Sequence, residues 1–167
     1  MNILVKGLPY LSDPSVGAIA GLEMLLNPND SWVTNSEVFY NNSVHRVRVG
    51  ESKIHSTIFF QGGFGAYKRA LLKEFDIEND DSGTALEIVQ KGFRTLLIPE
   101  AIYYTAFPRT WRGKFITKIR RALQLIKIWI RCLKLLLNGK LALPKKIVIP
   151  EIFLYIFNPV FLSLIHI

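Results

Sequence analysis

The sequence predicts an α/β domain that is followed by a basic amphipathic helix and an apolar C-terminal segment. Val16-Gly-Ala-Ile-Ala-Gly21 is an unbroken apolar run, which is typical of a strand that a parallel sheet buries on both faces. Helix signals alternate with further short apolar runs as far as Phe107. Beyond that residue the chain becomes both basic and apolar, as segments that bind membrane surfaces do.

The charge of the chain is divided unevenly along its length. Residues 1–107 carry nine basic and twelve acidic residues, a net charge of −3, whereas residues 108–167 carry twelve basic and one acidic, a net charge of +11. Because the second set is mixed with apolar residues, it favours membrane lipids over nucleic acid as a partner. A single cysteine, Cys132, excludes a disulfide scaffold, and no Cys/His ligand spacing indicates a zinc module.

The middle of the chain shows a strand, a glycine turn and a helix in succession. Residues 34–55 are interpreted as mostly helix, although their valines follow neither a helical stripe nor a strict alternation. Thr57-Ile-Phe-Phe60 predicts a strand that runs into Gly62-Gly-Phe-Gly65. Ala66 to Phe75 then has the apolar spacing of a helix.

The next helix has clear signals at both ends. Asp80-Asp81-Ser82 supplies the N-cap and the acidic first turn, and Gly92 ends the helix. Two short strands follow at residues 95–98 and 101–104, with Pro99-Glu100 as the turn between them.

A basic amphipathic helix is predicted within residues 109–140. Its polar positions recur at alternating steps of three and four residues, and apolar residues fill the intervening positions. We expect this helix to lie in the membrane interface, because a spanning helix would bury Lys127 and Arg131 at roughly 2.5 to 3.5 kcal/mol each. Trp111 and Trp129 are interpreted as interfacial anchors. The polar stripe comprises Thr117, Arg120, Gln124, Lys127, Arg131, Lys134 and Asn138.

The last residues predict the start of a transmembrane segment over 145–167. After Pro144-Lys-Lys146 the chain is apolar to Ile167, with Glu151 as its one acid. This run is just long enough to cross ~30 Å of hydrocarbon.

The Asp80-Asp81 pair is the first candidate for chemistry. One reading is structural, in which the pair caps a helix and interacts favourably with the helix dipole. The other reading is a general base, since a helix N-terminus keeps a carboxylate ionised while a neighbouring like charge favours proton uptake by one of the two acids. The sequence alone leaves both readings open.

Two further motifs have a structural and a functional reading. Gly63-Phe64-Gly65 is either a turn that needs glycine or a surface that lets an acceptor hydroxyl approach the backbone. Lys118, Arg120 and Arg121 are either the solvated side of a helix or the cations that neutralise a departing diphosphate.

The order of these motifs resembles the membrane-associated family 2 glycosyltransferases. The resemblance covers most of residues 5–135. It implies a partial GT-A (Rossmann-like) fold and an inverting transfer of a sugar from a nucleotide-diphosphate donor, with help from a divalent cation (Mg or Mn). The apolar and basic C-terminal part adds the expectation that the transfer occurs at the cytosolic membrane face, to a lipid-linked or saccharide acceptor. The matching pieces are Asp13–Gly21, Glu37, Gly63–Arg69, Asp80-Asp81 with Leu86 and Gly92, Ile98–Ala101 and Pro108-Arg-Thr.

The resemblance assigns roles residue by residue. Asp81 falls where the family places its catalytic base, and Asp80 takes the position of the preceding acid. Gly63, Phe64 and Gly65 fall on the acceptor side, and Lys118, Arg120 and Arg121 near the diphosphate. Where processive members carry QxxRW, this chain has Lys118, Arg121 and Ala122, which favours the addition of one sugar or a few over polymer synthesis.

The family's donor-binding half, with its metal-binding DxD motif, has no counterpart in the sequence. We therefore expect residues 1–108 to be the acceptor-side part of a transferase truncated at both ends, inactive by itself, with no metal ligand of its own and with an unpaired edge on the Val16–Gly21 strand. The competing hypothesis is a non-catalytic membrane-peripheral module that binds through the basic helix at 109–140.

Overall fold

Three strands form one sheet in the first part of the chain. The computed structural model describes residues 3–72, 81–159 and 161, and it divides the chain into two compact units between Ile116 and Thr117. In the first unit the strands Gly65–Tyr67 (β2), Val16–Leu25 (β1) and Arg94–Thr105 (β3) lie side by side in the order β2-β1-β3.

β1 is the central strand, which explains its unbroken apolar run. It runs parallel to β3 and antiparallel to β2, and Val16, Ala18 and Ile19 are buried. The α/β class is therefore confirmed. The expectation that the Val16–Gly21 strand has an unpaired edge is wrong, because β2 returns along the edge of β1 that β3 leaves open.

The two short strands predicted at 95–98 and 101–104 are one strand, β3. Its pairing with β1 shifts register around Pro99, so that Gly21 is opposite Ile98 while Leu22 is opposite Ile102. Proline has no amide hydrogen to give to a ladder, and the local irregularity accommodates it without ending the strand.

Two predicted elements around the glycine turn differ from the structure. Thr57–Phe60 forms no strand, although the Thr57 amide donates to the Thr95 carbonyl at 3.0 Å. In place of a helix over 66–75, the chain forms β2 and a short 3-10 helix at Arg69–Leu71, and residues 73–75 lie outside the described residues. Pairing with β1 outweighs the propensity of so short a helix.

The two longer helices of the first unit have clear signals at their ends, and the first of them confirms the helix interpreted over residues 34–55. Ser31 starts the helix Trp32–Ile54 (α2) with a capping box, in which its hydroxyl accepts from the Thr34 amide at 3.2 Å. Gly92 ends the helix Asp81–Gln90 (α3) with a positive φ of 87°. The amides of Gly92 and Phe93 bond to carbonyls of the last helical turn, as in a Schellman motif. A short helix, Ile3–Gly7 (α1), and a 3-10 helix, Leu8–Ser12, precede β1.

The buried face of α2 is polar. Ser52 accepts a hydrogen bond from the Leu97 amide at 2.9 Å, and the Arg48 guanidinium lies 3.4 Å above the centre of the Phe59 ring. Lys114 lies 3.5 Å from the buried Glu37 carboxylate. This face stabilises the helix through hydrogen bonds and charge pairing in place of an apolar stripe. Its buried polar members are Thr34, Glu37, Asn41, His45, Arg48, Glu51 and Ser52.

The second unit contains most of the basic helix. This helix, Trp111–Leu137 (α4), confirms the predicted helix, and it is followed by Lys145–Ile152 (α5) and a π-helical turn at Phe153–Phe157. Trp129 is 2% exposed and stacks on Tyr155 with ring centroids 6.2 Å apart, so its predicted role as an interfacial anchor is wrong. The indole is buried because it lies on the side of α4 that also buries Leu125, Ile128 and Cys132.

No helix among residues 3–72, 81–159 and 161 has both the length and the apolar character needed to cross a bilayer. The transmembrane segment predicted over 145–167 is therefore not supported. Within it, Pro150 lies inside the short helix α5, and residues 160 and 162–167 lie outside the described residues.

We expect the free energy of unfolding to fall as the pH drops below about 6.5. Burial, with a smaller contribution from Arg48, lowers the pKa of His45 below its ordinary value of 6.5, and Glu23 and Gln61 offset only part of this. The unfolded chain then binds a proton more readily than the folded chain. The contribution of neutral His45 to the free energy of unfolding is therefore present in full above about pH 6.5, and it is lost as the pH falls toward the lowered pKa of the folded chain.

The measurement is urea unfolding of the wild type and of His45→Gln between pH 7.5 and 5. His55→Gln is the matched control, since burial also lowers the pKa of His55, but less of that side chain is buried. A pH dependence of His45→Gln as steep as that of the wild type would contradict the prediction.

Candidate active site

Asp81 lies at the start of α3, beside the glycine turn. Its carboxylate is so close to Gly62 that a Cβ atom added to the glycine would lie 2.9 Å from Asp81 Oδ2. Asp81 is exposed, and it belongs to the first helical turn, where the helix dipole favours a negative charge. The structure thus brings the predicted acid and the predicted turn together.

The Tyr67 hydroxyl also reaches this carboxylate. It donates a hydrogen bond to Asp81 Oδ1 over 3.4 Å, and its ring packs at a tilt against Phe60 with centroids 5.8 Å apart. Tyr67 is held by β2, where it is opposite Ala18 of the central strand. A phenol at this position orients one carboxylate oxygen and leaves the other toward Gly62.

Backbone contacts hold the glycine turn over the central strand. The Gly21 amide donates to the Phe64 carbonyl at 3.2 Å, and the Gly63 amide donates to the Gln61 carbonyl at 2.8 Å. The Tyr103 ring packs so closely on Gly63 that an added Cβ would lie 1.9 Å from Tyr103 Cε2. No other residue fits at position 63 without moving the ring.

The other two residues of the predicted acceptor side have different surroundings. The Phe64 ring is partly buried and packs against the core cluster of Val16, Ile19, Ile98 and Ala101. Gly65 is exposed, and a Cβ there would lie 2.9 Å from the Tyr67 hydroxyl. Gly65 therefore leaves room for the phenol, whereas the Phe64 side chain contributes to packing.

A buried polar group lies next to the turn in the chain. Gln61 directly precedes the two glycines, and its side chain is near enough to the buried His45 to raise the pKa of that histidine slightly. Glu23 is 5% exposed and accepts a hydrogen bond from Thr105 Oγ1 at 2.6 Å. The Glu23–Thr105 hydrogen bond joins β1 to β3.

The remaining predicted site residues are not brought to Asp81 by the described contacts. Asp80 lies outside the described residues. Lys118, Arg120 and Arg121 lie on the part of α4 that belongs to the second unit, where Arg120 is exposed and the other two are partly exposed. Their predicted role at a diphosphate stays a prediction.

The described residues do not fit a resident divalent cation. Nowhere in residues 3–72, 81–159 and 161 do three or more His, Cys, Asp or Glu side chains cluster as metal ligands would.

Sequence reasoning missed two residues of the site. Gly62 was recognised as part of the turn but not as the residue against the carboxylate, and Tyr67 was not recognised as a partner of Asp81. Tyr67 lies within the Gly63–Arg69 motif, so its hydroxyl group within that motif was the signal that could have identified it. A strand of three residues is too short for its alternation to show which side chain faces the acid.

This arrangement occurs in a stretch that matches a known family. Residues 2–123 match the model of the glycosyltransferase-like family 2, and the chain belongs to this family. The α/β fold is of the GT-A type, so the chain is a family 2 glycosyltransferase-like domain with that fold.

Similar proteins are transferases of two named kinds. An N-acetylglucosaminyltransferase of Rhizobium meliloti (strain 1021) is 24% identical over 135 residues, which cover 72% of this chain and 32% of the relative. One of Bradyrhizobium diazoefficiens is 23% identical, and the match covers 28% of it. The chain thus spans about a third of these relatives.

A solved structure is similar as well. It is a mannosyltransferase from Pyrobaculum calidifontis in complex with GDP-Man and Mn2+, with a TM-score of 0.68 and 32% identity. The superposition covers 92% of this chain and 40% of that one.

Alanine at the two neighbouring glycines should have opposite effects. We expect Gly62→Ala to push the Asp81 carboxylate aside at little cost in stability, because a side-chain end can rotate away. We expect Gly63→Ala to destabilise the fold by about 1–3 kcal/mol, because the added methyl group meets the packed ring of Tyr103. Urea unfolding of the two variants checks this, and equal losses of stability would contradict it.

Proposed function

We propose that the chain forms the acceptor side of an inverting glycosyltransferase that uses a nucleotide-diphosphate sugar and works at a membrane surface. The observation that carries the proposal is the Asp81 carboxylate at the N-terminus of α3, against Gly62 and within hydrogen-bond reach of Tyr67. Membership of the family and the GDP-Man complex of the similar mannosyltransferase support a nucleotide-sugar donor.

Asp81 acts as the general base in this proposal. It takes the proton of the acceptor hydroxyl while the acceptor oxygen forms a bond to the anomeric carbon of the donor. The bond between that carbon and the diphosphate oxygen breaks at the same time, so the nucleoside diphosphate leaves from the opposite face and the configuration inverts. The bare backbone at Gly62 gives the acceptor access to the carboxylate.

Other residues position the base and balance charge. Tyr67 holds one oxygen of Asp81, and the helix dipole favours the negative charge of the carboxylate. Lys118, Arg120 and Arg121 are proposed to neutralise the leaving diphosphate. The family implies a divalent cation at the diphosphate, but no described residue of this chain is assigned to it.

Membrane association is the second part of the proposal. The exposed surface of α4 carries a row of cations beside apolar side chains such as Leu123 (57% exposed) and Leu137 (77% exposed). A helix of this kind lies in the interface of an anionic bilayer. A nearby membrane would present a lipid-linked acceptor.

Asp81→Asn should abolish sugar transfer while leaving the fold intact. The amide keeps the shape of the side chain but accepts no proton, so kcat should fall by at least about a hundredfold, as expected for loss of a general base. Tyr67→Phe should lower kcat less, because the base remains and only its orientation changes.

The assay uses a family 2 enzyme that carries these residues together with a donor-binding portion. Met24→Leu is the control, since this exposed residue lies on β1 outside the site. Turnover close to wild type in Asp81→Asn would remove Asp81 from the mechanism.

Reversing the charge of Lys127, Arg131 and Lys134 to Glu should release the chain from anionic vesicles. At about 1 kcal/mol for each cation at an anionic surface, binding should weaken by at least about a hundredfold. Vesicle flotation measures this, with Lys127→Arg, Arg131→Lys and Lys134→Arg as the charge-preserving control. Unchanged flotation of the reversed variant would contradict the interfacial role of α4.

A further inference from the structure

Four aromatic side chains form an exposed surface at the starts of α2 and α4, within the first unit. Trp32 is 69% exposed and Trp111 is 57% exposed, and their rings stack with centroids 5.6 Å apart. Phe39 and Phe115 are exposed by 78% and 57%. We call these four residues the aromatic face. So much exposed aromatic surface is uncommon unless it contacts a partner or a membrane.

The aromatic face continues along α2. Trp32, Phe39, Val47 and Ile54 follow one another at steps of seven, eight and seven residues, which places them on one side of a helix. Val47 and Ile54 are also more than half exposed. At ~1.5 Å per residue the apolar side is about 33 Å long, the full length of the helix.

Contacts with α2 fix the position of the first turn of α4, so the aromatic face is part of the folded structure of the first unit. Lys114 donates a hydrogen bond to Ser36 Oγ at 2.6 Å, and it lies 3.5 Å from the buried Glu37 carboxylate. These contacts hold Trp111 on Trp32. Arg109 and Asp30 form an ion pair at 2.7 Å beside the same turn.

The charged residues that α2 and α4 expose are cationic, and the nearby acid Asp30 is paired with Arg109. Both acids of α2, Glu37 and Glu51, are buried, and the charged residues that α2 exposes are Arg46 and Lys53. α4 contains no acid, and Arg112 is exposed in its first turn. Besides neutral polar residues such as Asn35, Asn42 and Gln124, both helices present aromatic, aliphatic and cationic groups and no exposed acid. Aromatic, aliphatic and cationic groups together bind the headgroup region of an anionic bilayer.

We propose that the aromatic face, together with Val47 and Ile54, sits in the interface of an anionic membrane. This inference rests on the membrane association proposed above, and it adds a second contact. The first unit itself touches lipid through α2, in addition to the basic stripe of α4. Trp32 and Trp111 insert at the level of the headgroups, while Arg46, Lys53 and Arg112 bind lipid phosphates.

A fluorophore on the aromatic face tests this directly in the full chain. Burial raises the pKa of the Cys132 thiol to about 12, so an exposed cysteine introduced by Phe39→Cys reacts with an NBD label in preference to it. We expect the emission to shift to the blue and to brighten on phosphatidylcholine vesicles that contain phosphatidylglycerol. Val5→Cys, at a 67% exposed position on α1, is the matched control and should not respond.

A pair of substitutions measures the contribution to binding. Trp32→Ser with Phe39→Ser should lower partitioning into the same vesicles by about tenfold or more, since each aromatic ring loses apolar contact. Val5→Ser should have no such effect. Far-UV circular dichroism confirms that the helices of each variant are intact.

The outcomes separate this inference from the general membrane proposal. If the chain floats with anionic vesicles but the label at position 39 stays silent, α2 does not touch lipid and this inference fails alone. If the label responds without vesicles as the protein concentration rises, the aromatic face joins two copies of the chain, and the inference also fails. An equal response to vesicles of phosphatidylcholine alone would overturn the role of the cations.

Discussion

The close approach of the glycine turn to the backbone of the central strand is the constraint on which the first unit depends. The Gly21 amide bonds to the Phe64 carbonyl, and no side chain fits at position 21 because a Cβ there would lie 2.5 Å from the Ala101 carbonyl. At position 63 the Tyr103 ring occupies the place of a side chain. With the turn seated in this way, β2 pairs with β1, and Gly62 reaches the acid that begins α3.

The reversed amphipathic pattern of α2, in which the buried side is polar and the exposed side carries apolar residues, is the second constraint. Surface helices ordinarily bury apolar residues and expose charges, whereas α2 buries charges such as Glu37 and exposes Phe39. The buried groups are stabilised by hydrogen bonds and ion pairs, each of which contributes about 1 kcal/mol net. Removing only one partner costs more, because the other partner is then left buried without a hydrogen bond. Because its acids point inward, the outer surface of α2 is cationic and apolar, as the outer surface of α4 is.

The candidate site could be predicted from the sequence only where its signals are local. An acid at a helix start and a run of glycines are recognised from a few neighbouring residues, so Asp81 and the turn were predicted and lie together in the structure. Tyr67 was missed because its relation to Asp81 depends on how β2 pairs with β1, some 45 residues away in the chain. The chemical roles of these residues remain predictions, with the family as their support.

By itself, the sequence determined the ends of α3, the extent of α4 and the division of charge, because caps and helical periodicity act within a few residues. Only the tertiary structure decided that β1 is central, that β3 continues through Pro99 and that Trp129 is buried. It also decided which side of α2 faces inward. Each of these depends on a partner that is distant in the chain, and local propensity holds no information about such partners.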